Sequence, residues 1–177
     1  MKKALLIASV LFIAVVSTAC INNIAVQELN NKAAEFMQKG DYESAMNRLQ
    51  ASIDLDSTMF ETYYNLGIAA TNAKKYEVAI EAFESGIKIK SDYPNFYYSL
   101  AVAQAEFAEE LLEKEIDKED IEEIKAKSAD LKLAALANSM KYLELNAEAE
   151  DKADVEDFIK NLSKEEKTEE NTKLLKG

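Results

Sequence analysis

Histidine and tryptophan are absent from the 177 residues, cysteine and proline occur once each, and glycine occurs four times. Each shortage removes a class of explanation. Without histidine there is no His-dependent triad or general base and no histidine-containing zinc site, and a single cysteine cannot build an internal disulfide framework. So little proline and glycine leaves helices free to run almost anywhere along the chain. Positive charge is also short: 21 Lys and Arg stand against 33 Asp and Glu, a formal net charge of -12. Such a surface repels nucleic acid and anionic lipid and gains nothing from counterion release, so no nucleic-acid partner is expected. No nucleophile is paired with a base, and neither a Gly-rich phosphate loop nor a metal-ligand cluster appears. A non-catalytic protein without cofactor or metal is expected. What is plentiful is apolar surface, at 48% of residues, enough for the core of one domain.

The longest apolar run lies at the start. Met1-Lys2-Lys3 is positively charged, Ala4 to Val16 is unbroken apolar sequence, and Ser17-Thr18-Ala19 leads with small residues into the sole thiol, Cys20. That order is the order of a secretory signal peptide. Its end resembles a bacterial lipobox, a resemblance that implies cleavage before Cys20 and lipid on the new amino terminus. Two other readings stay open: cleavage by ordinary signal peptidase at Ser17-x-Ala19, releasing a soluble protein, or an uncleaved anchor, short for a bilayer. On the first reading residues 1–19 are a leader outside the fold and residues 20–25 a tether. Five residues reach at most about 17 Å, which keeps the domain close to a membrane. Because Ile21 is not Asp, resemblance to proteobacterial lipoproteins implies a bacterial cell-envelope location, the outer membrane where there are two.

Shifting Phe60 to Tyr93 by 34 residues lands on similar residues on both sides. Tyr42 maps to Tyr76, Ala45 to Ala79, Leu49 to Phe83 and Ile53 to Ile87. Leu29, Tyr63 and Tyr97 align, as do Ala33, Gly67 and Ala101. A 34-residue period built from two helices is that of a tetratricopeptide repeat (TPR). Tyr63, Leu66, Gly67, Tyr76, Ala79 and Phe83 resemble that family's aromatic, Leu-Gly, aromatic, Ala and aromatic positions. The resemblance implies an all-α, short TPR-type helical solenoid acting as a protein-binding scaffold.

Units are expected at residues 26–59, 60–93 and 94–147. The first contains a turn at Gly40-Asp41 and has Lys32 where the second has Leu66, as an exposed terminal repeat allows. In the second, Ser57 or Thr58 is the expected N-cap, and Gly67 against Ala79 lets its helices approach. The third is stretched. Its motif should resume 34 residues after Ala79, at position 113, yet Ala135 carries it, 22 residues later. Shared between two helices, that insertion adds about three turns to each and preserves which face looks inward. An elongated helical hairpin follows, with Leu111, Leu112 and Ile116 facing Ile121, Ile124 and Leu131, and Asp117 and Asp120 at its turn. Glu109 and Glu113 sit one turn apart there, but interleaved Lys marks a solvated face. Residues 148–162 read as a C-terminal capping helix with Val155, Phe158, Ile159 and Leu162 inward, and residues 163–177 as a loose polar tail.

In the TPR family the first helix of each unit lines a concave groove. Carried over by register, one column is Asn30, Tyr64 and Tyr98, and the next Asn31, Asn65 and Ser99. Ala34, Ile68 and Val102, then Met37, Thr71 and Ala105, continue the same helical side. Members that clamp a peptide carboxylate use Lys and Arg in these columns, and this chain has none there. Its amides resemble the ladder that other members use to hold a peptide backbone, since an amide both donates and accepts. The expected ligand is therefore a neutral or apolar segment of another envelope protein, with membrane attachment through lipidated Cys20. The competing reading is a structural protein that forms a homo-oligomer through the long hairpin.

Overall fold

A computed structural model describes residues 23–113 and 121–174, with side chains through Lys164. Among them are seven helices and no strand: α1 (residues 23–38), α2 (Tyr42–Leu55), α3 (Phe60–Asn72), α4 (Tyr76–Ile89), α5 (Pro94–Glu113), α6 (Ile121–Leu145) and α7 (Lys152–Leu174). Cys20 and the leader lie outside the described residues, as do Ile116, Asp117 and Asp120. No described helix is long and apolar enough to cross a membrane.

The turns between paired helices repeat one device. Gly40 adopts φ 74°, and Asp41 N–H donates back to the Phe36 carbonyl at 2.9 Å. Thirty-four residues on, Lys74 takes φ 56° and Lys75 N–H donates to the Ala70 carbonyl at 2.8 Å. Both are left-handed helix stops that satisfy otherwise orphaned carbonyls. At Lys74 a side chain accepts a conformation that costs about 1–2 kcal/mol outside glycine, so the repeat geometry outweighs local preference there. Asp41 also caps α2 by accepting from Ser44 N–H at 3.1 Å.

The start of α3 differs from expectation. Neither Ser57 nor Thr58 caps it: the cap position is Met59, which makes no side-chain hydrogen bond. Asp56 instead accepts from both the backbone N–H and the hydroxyl of Thr58, at 2.9 and 2.7 Å. That Asx turn closes the preceding loop and holds the Thr58 hydroxyl on Asp56, turned back from the helix.

Each helix packs on its successor, and α3 also meets α5. Ala33, Ala45, Leu49, Leu66, Ala69 and Ala82 form one core cluster, and Ala70, Ala79, Phe83, Phe96, Leu100 and Ala103 a second. The close approach runs through glycine, with a phenylalanine ring as its nearest neighbour. A methyl group on Gly67 would run into the Phe83 ring, and one on Gly86 into Phe96. Lys32, at the open end, is exposed and paired with Glu28 at 3.2 Å.

The elongated hairpin and the cap are present. The seam between α5 and α6 is less apolar than the pattern implied. On α6 the buried line is Ser128, Lys132, Ala135, Ser139 and Tyr142. Ser128 Oγ donates to the Ala108 carbonyl at 3.0 Å, and Asn138 donates to Gln104 Oε1 at 2.9 Å. Leu111, Ile124 and Leu131 are half-buried, whereas Leu112 and Ile121 are exposed. Helix α7 closes the end with Val155 and Leu162 buried and Phe158 against the third cluster, Ala101, Ala105 and Ala135. It continues beyond Leu162 to Leu174, through the segment expected as a loose tail.

The hinge into α7 is held by the Tyr142 hydroxyl, which donates to Asp151 at 2.6 Å and accepts from Asn146 at 3.3 Å. Burial, then the bond to Asp151, raises the Tyr142 pKa above the usual 10.0; burial, then Asp151 and Asp154, raises that of Tyr98. These hydroxyls keep their protons longer in the fold than in the unfolded chain. Their contribution to stability is complete below pH 10.0 and is lost as pH rises through the raised folded values. Chemical denaturation should therefore show stability falling from pH 10 upward. Tyr142→Phe should flatten that fall while costing about 1 kcal/mol at neutral pH. Gly67→Ala should cost about 1–3 kcal/mol by overpacking against Phe83, read as a lower urea midpoint.

Candidate functional site

The columns drawn from the repeat register fall on α1, α3 and α5, which stand as neighbours along one wall. Two hydrogen bonds tie that wall together across repeats. Asn30 Nδ2 donates to Thr62 Oγ1 at 3.0 Å, joining α1 to α3 and satisfying a fully buried hydroxyl. Ser99 Oγ donates to the Tyr64 hydroxyl at 3.4 Å, joining α5 to α3.

Tyr64 is half-buried and aromatic on several sides. Its ring stands edge-on to Tyr93 and Phe96, with centroids at 5.6 and 5.5 Å, and tilts against Phe83 at 6.1 Å. Tyr64 is a wedge between repeats that keeps part of its surface exposed. Tyr98 is placed differently. It packs on Tyr142 at 5.3 Å and edge-on to Phe158 at 6.2 Å, so the cap helix stands over it. The two tyrosines share a register position but not a setting, since one faces a repeat and the other faces the cap.

The remaining candidates divide by whether their polar atoms are already spent. Thr71 Oγ1 donates to the Gly67 carbonyl at 2.9 Å and is satisfied within its own helix. Met37 packs on the first core cluster and Ile68 on the second, each keeping part of its surface exposed. Val102 is half-buried, Ala34 is exposed, and Ala105 is buried beneath the cap. Among the described residues Asn31 and Asn65 alone in these columns carry amides with no hydrogen bond; Asn31 is exposed and Asn65 half-buried. A half-buried amide with unspent donors and acceptor, next to Tyr64 and one turn from Ile68, can hold a peptide group of either polarity.

One feature of the site was not drawn from the repeat register. The added turns of α5 carry Glu106, Glu109 and Glu110 alongside the first residue of α4, Tyr76. Tyr76 is buried and stacks on Phe107 at 5.8 Å. Burial first, then these carboxylates, push the Tyr76 hydroxyl above its usual range. The columns carried over from the repeat register end at Ala105, and this acidic edge lies on the turns of α5 beyond it, beside α4. No group of three or more carboxylates or thiols able to hold a metal occurs among the described residues.

Known proteins share this fold. A model described as TPR repeat matches residues 33–70, and one described as tetratricopeptide repeat matches residues 60–93. No curated protein matches the chain in sequence. Among solved structures, the type III secretion translocator chaperone SycD of Yersinia enterocolitica is similar with a TM-score of 0.63 at 17% identity, covering 80% of this chain and 86% of its own. The same chaperone in complex with a peptide of the translocator YopD gives 0.60 at 17%, over 81% and 93% of the two chains. The first TPR domain of Spaghetti (RPAP3), bound to the HSP90 peptide SRMEEVD, gives 0.60 at 16%, over 78% and 90%. With the 34-residue register, the repeated left-handed stops and the glycine-mediated packing, these matches establish residues 33–93 as tetratricopeptide repeats within an all-α helical repeat fold.

Proposed function

We propose that this protein is a non-catalytic adaptor, held at a bacterial membrane by lipid on Cys20, that binds a neutral or apolar segment of another envelope protein along the wall of α1, α3 and α5. The observation that carries the reading is the pair of unspent amides, Asn31 and Asn65, beside Tyr64 and Ile68 on a wall whose columns contain no Lys or Arg. Peptide binding by TPR structures of similar fold, SycD with a YopD peptide and RPAP3 with an HSP90 peptide, supports the class of ligand. The acidic peptide SRMEEVD is a poor fit here. Its carboxylates would meet no cation in the columns, on a chain of net charge -12.

The groove is tested with a displayed library of random peptides panned on the full chain. Uncharged, apolar-rich sequences should be enriched, SRMEEVD should not bind, and Asn31→Ala with Asn65→Ala should weaken the selected peptides about tenfold or more without lowering the melting temperature. Enrichment of acidic carboxy termini, or affinity indifferent to both amides, would remove this wall as the site. Tyr64→Ala is the poorer probe, because it also removes three ring contacts from the core.

Support for the anchor is the order of the first twenty residues: positive start, apolar run, small residues, lone cysteine. A multiply acylated cysteine holds firmly, at about 0.8 kcal/mol per buried methylene. Wild-type protein should fractionate with membranes and gain the mass of its acyl chains, and Cys20→Ala should lose both. Persistence of the Cys20→Ala chain in the membrane fraction would refute the lipid anchor.

A further inference from the structure

Helix α6 carries a second face that the described fold leaves largely open: Ala126, Leu133, Ala137 and Met140 are exposed, and Ala129, Leu136 and Leu143 half-buried. Ala126, Ala129, Leu133, Leu136, Ala137, Met140 and Leu143 recur every three or four residues and so fall on one side of the helix. The line packed on α5 and α7, from Ser128 to Tyr142, lies roughly a third of a turn away. Leu133 is 47% exposed and Met140 58%, the latter the second most exposed large apolar side chain among the described residues. On a chain of net charge -12, such a stripe is an exception to the surface around it.

We propose that this face of α6 is a dimer interface that pairs with the same face of a second copy, antiparallel, about a two-fold axis between positions 134 and 135. The residues themselves select that partner. In this register Leu133 meets Leu136 at the centre, Met140 meets Ala129, and Leu143 meets Ala126, so each large outer side chain lies over a small one. At the rim Lys125 meets Glu144, twice by symmetry. Their present partners, Glu122 at 3.1 Å and Lys141 at 2.8 Å, are exposed ion pairs of little strength and do not oppose the exchange. A parallel arrangement is excluded by the same residues. It would set Lys125 beside Lys125 and Glu144 beside Glu144, with methionine on methionine and alanine on alanine, leaving gaps. The paired stretch, positions 125–144, is about 28 Å long. Because the stripe lies on the second helix of its hairpin, the wall of α1, α3 and α5 stays open in the dimer, and the proposal does not depend on what that wall binds.

Sedimentation velocity of the full chain in mild detergent, from micromolar concentration upward, tests it. The wild type should dimerise, and Leu133→Glu with Met140→Glu should shift it to monomer while leaving helical circular dichroism unchanged. Val78→Glu, at another exposed apolar position on α4, should leave the dimer intact. The register is read in a Cys20→Ser background. Chains carrying Ala129→Cys mixed with chains carrying Met140→Cys should form a disulfide across the interface, and either alone should not, since like positions lie about 16 Å apart along the axis. A monomeric wild type, a dimer indifferent to the two glutamates, or efficient crosslinking of either cysteine variant alone would each overturn the proposal.

Discussion

The fold depends on aromatic rings seated against backbone. At Gly67 and Gly86 the space that a side chain would fill belongs to Phe83 and Phe96, each of which is fully buried. Those rings belong to the next helix along: Phe83 closes the approach of α3 to α4 inside the second unit, and Phe96 the approach of α4 to α5 between units. Phe60, Tyr64 and Tyr93 then gather around Phe96 with centroids between 5.4 and 6.3 Å. Edge-to-face rings of this kind add to the burial of their area. The stacking angle between repeats, and with it the shape of the wall, is set by these contacts.

Elongating the third hairpin changes what holds it together. Ordinary repeats close on alanine, leucine and phenylalanine; the long seam closes on Ser128 and the pair Gln104–Asn138, bonded across it, with Ser139 satisfied inside its own helix. Hydrogen-bonded polar seams fix register more strictly than they stabilise, because an offset leaves buried partners unsatisfied. The leucines that might have filled that seam are partly on the far side, where Leu133 and Met140 face outward. Polar grip inward and apolar surface outward is the reverse of an ordinary surface helix.

Legibility followed the strength of local constraint. The helices of the regular units, the left-handed turn at Gly40 and the inward set Ala45, Leu49, Leu66, Ala79 and Phe83 could all be read from the 34-residue register, since a repeat states its geometry twice. The cap at Ser57 or Thr58 could not, because an Asx turn at Asp56 takes Thr58 into the loop and leaves Met59 at the cap position. On α6 the pattern was ambiguous. Leu131 and Leu133 point to different sides, and only the neighbours decide which side is covered. Equivalent register positions also diverged: Asn30 is spent on Thr62 while Tyr98 lies under α7, and neither outcome is written in the spacing.

By itself the sequence determined the helical class, the repeat length, the stretched third hairpin and the absence of cations from the columns of the wall, because each is a property of residue order or composition. Tertiary structure alone decided which amides of the wall are left unspent, which tyrosine meets the cap helix and which leucines of α6 meet water. A side chain's availability depends on what stands opposite it, and residues opposite one another here lie some thirty positions apart, as Asn30 and Thr62 do.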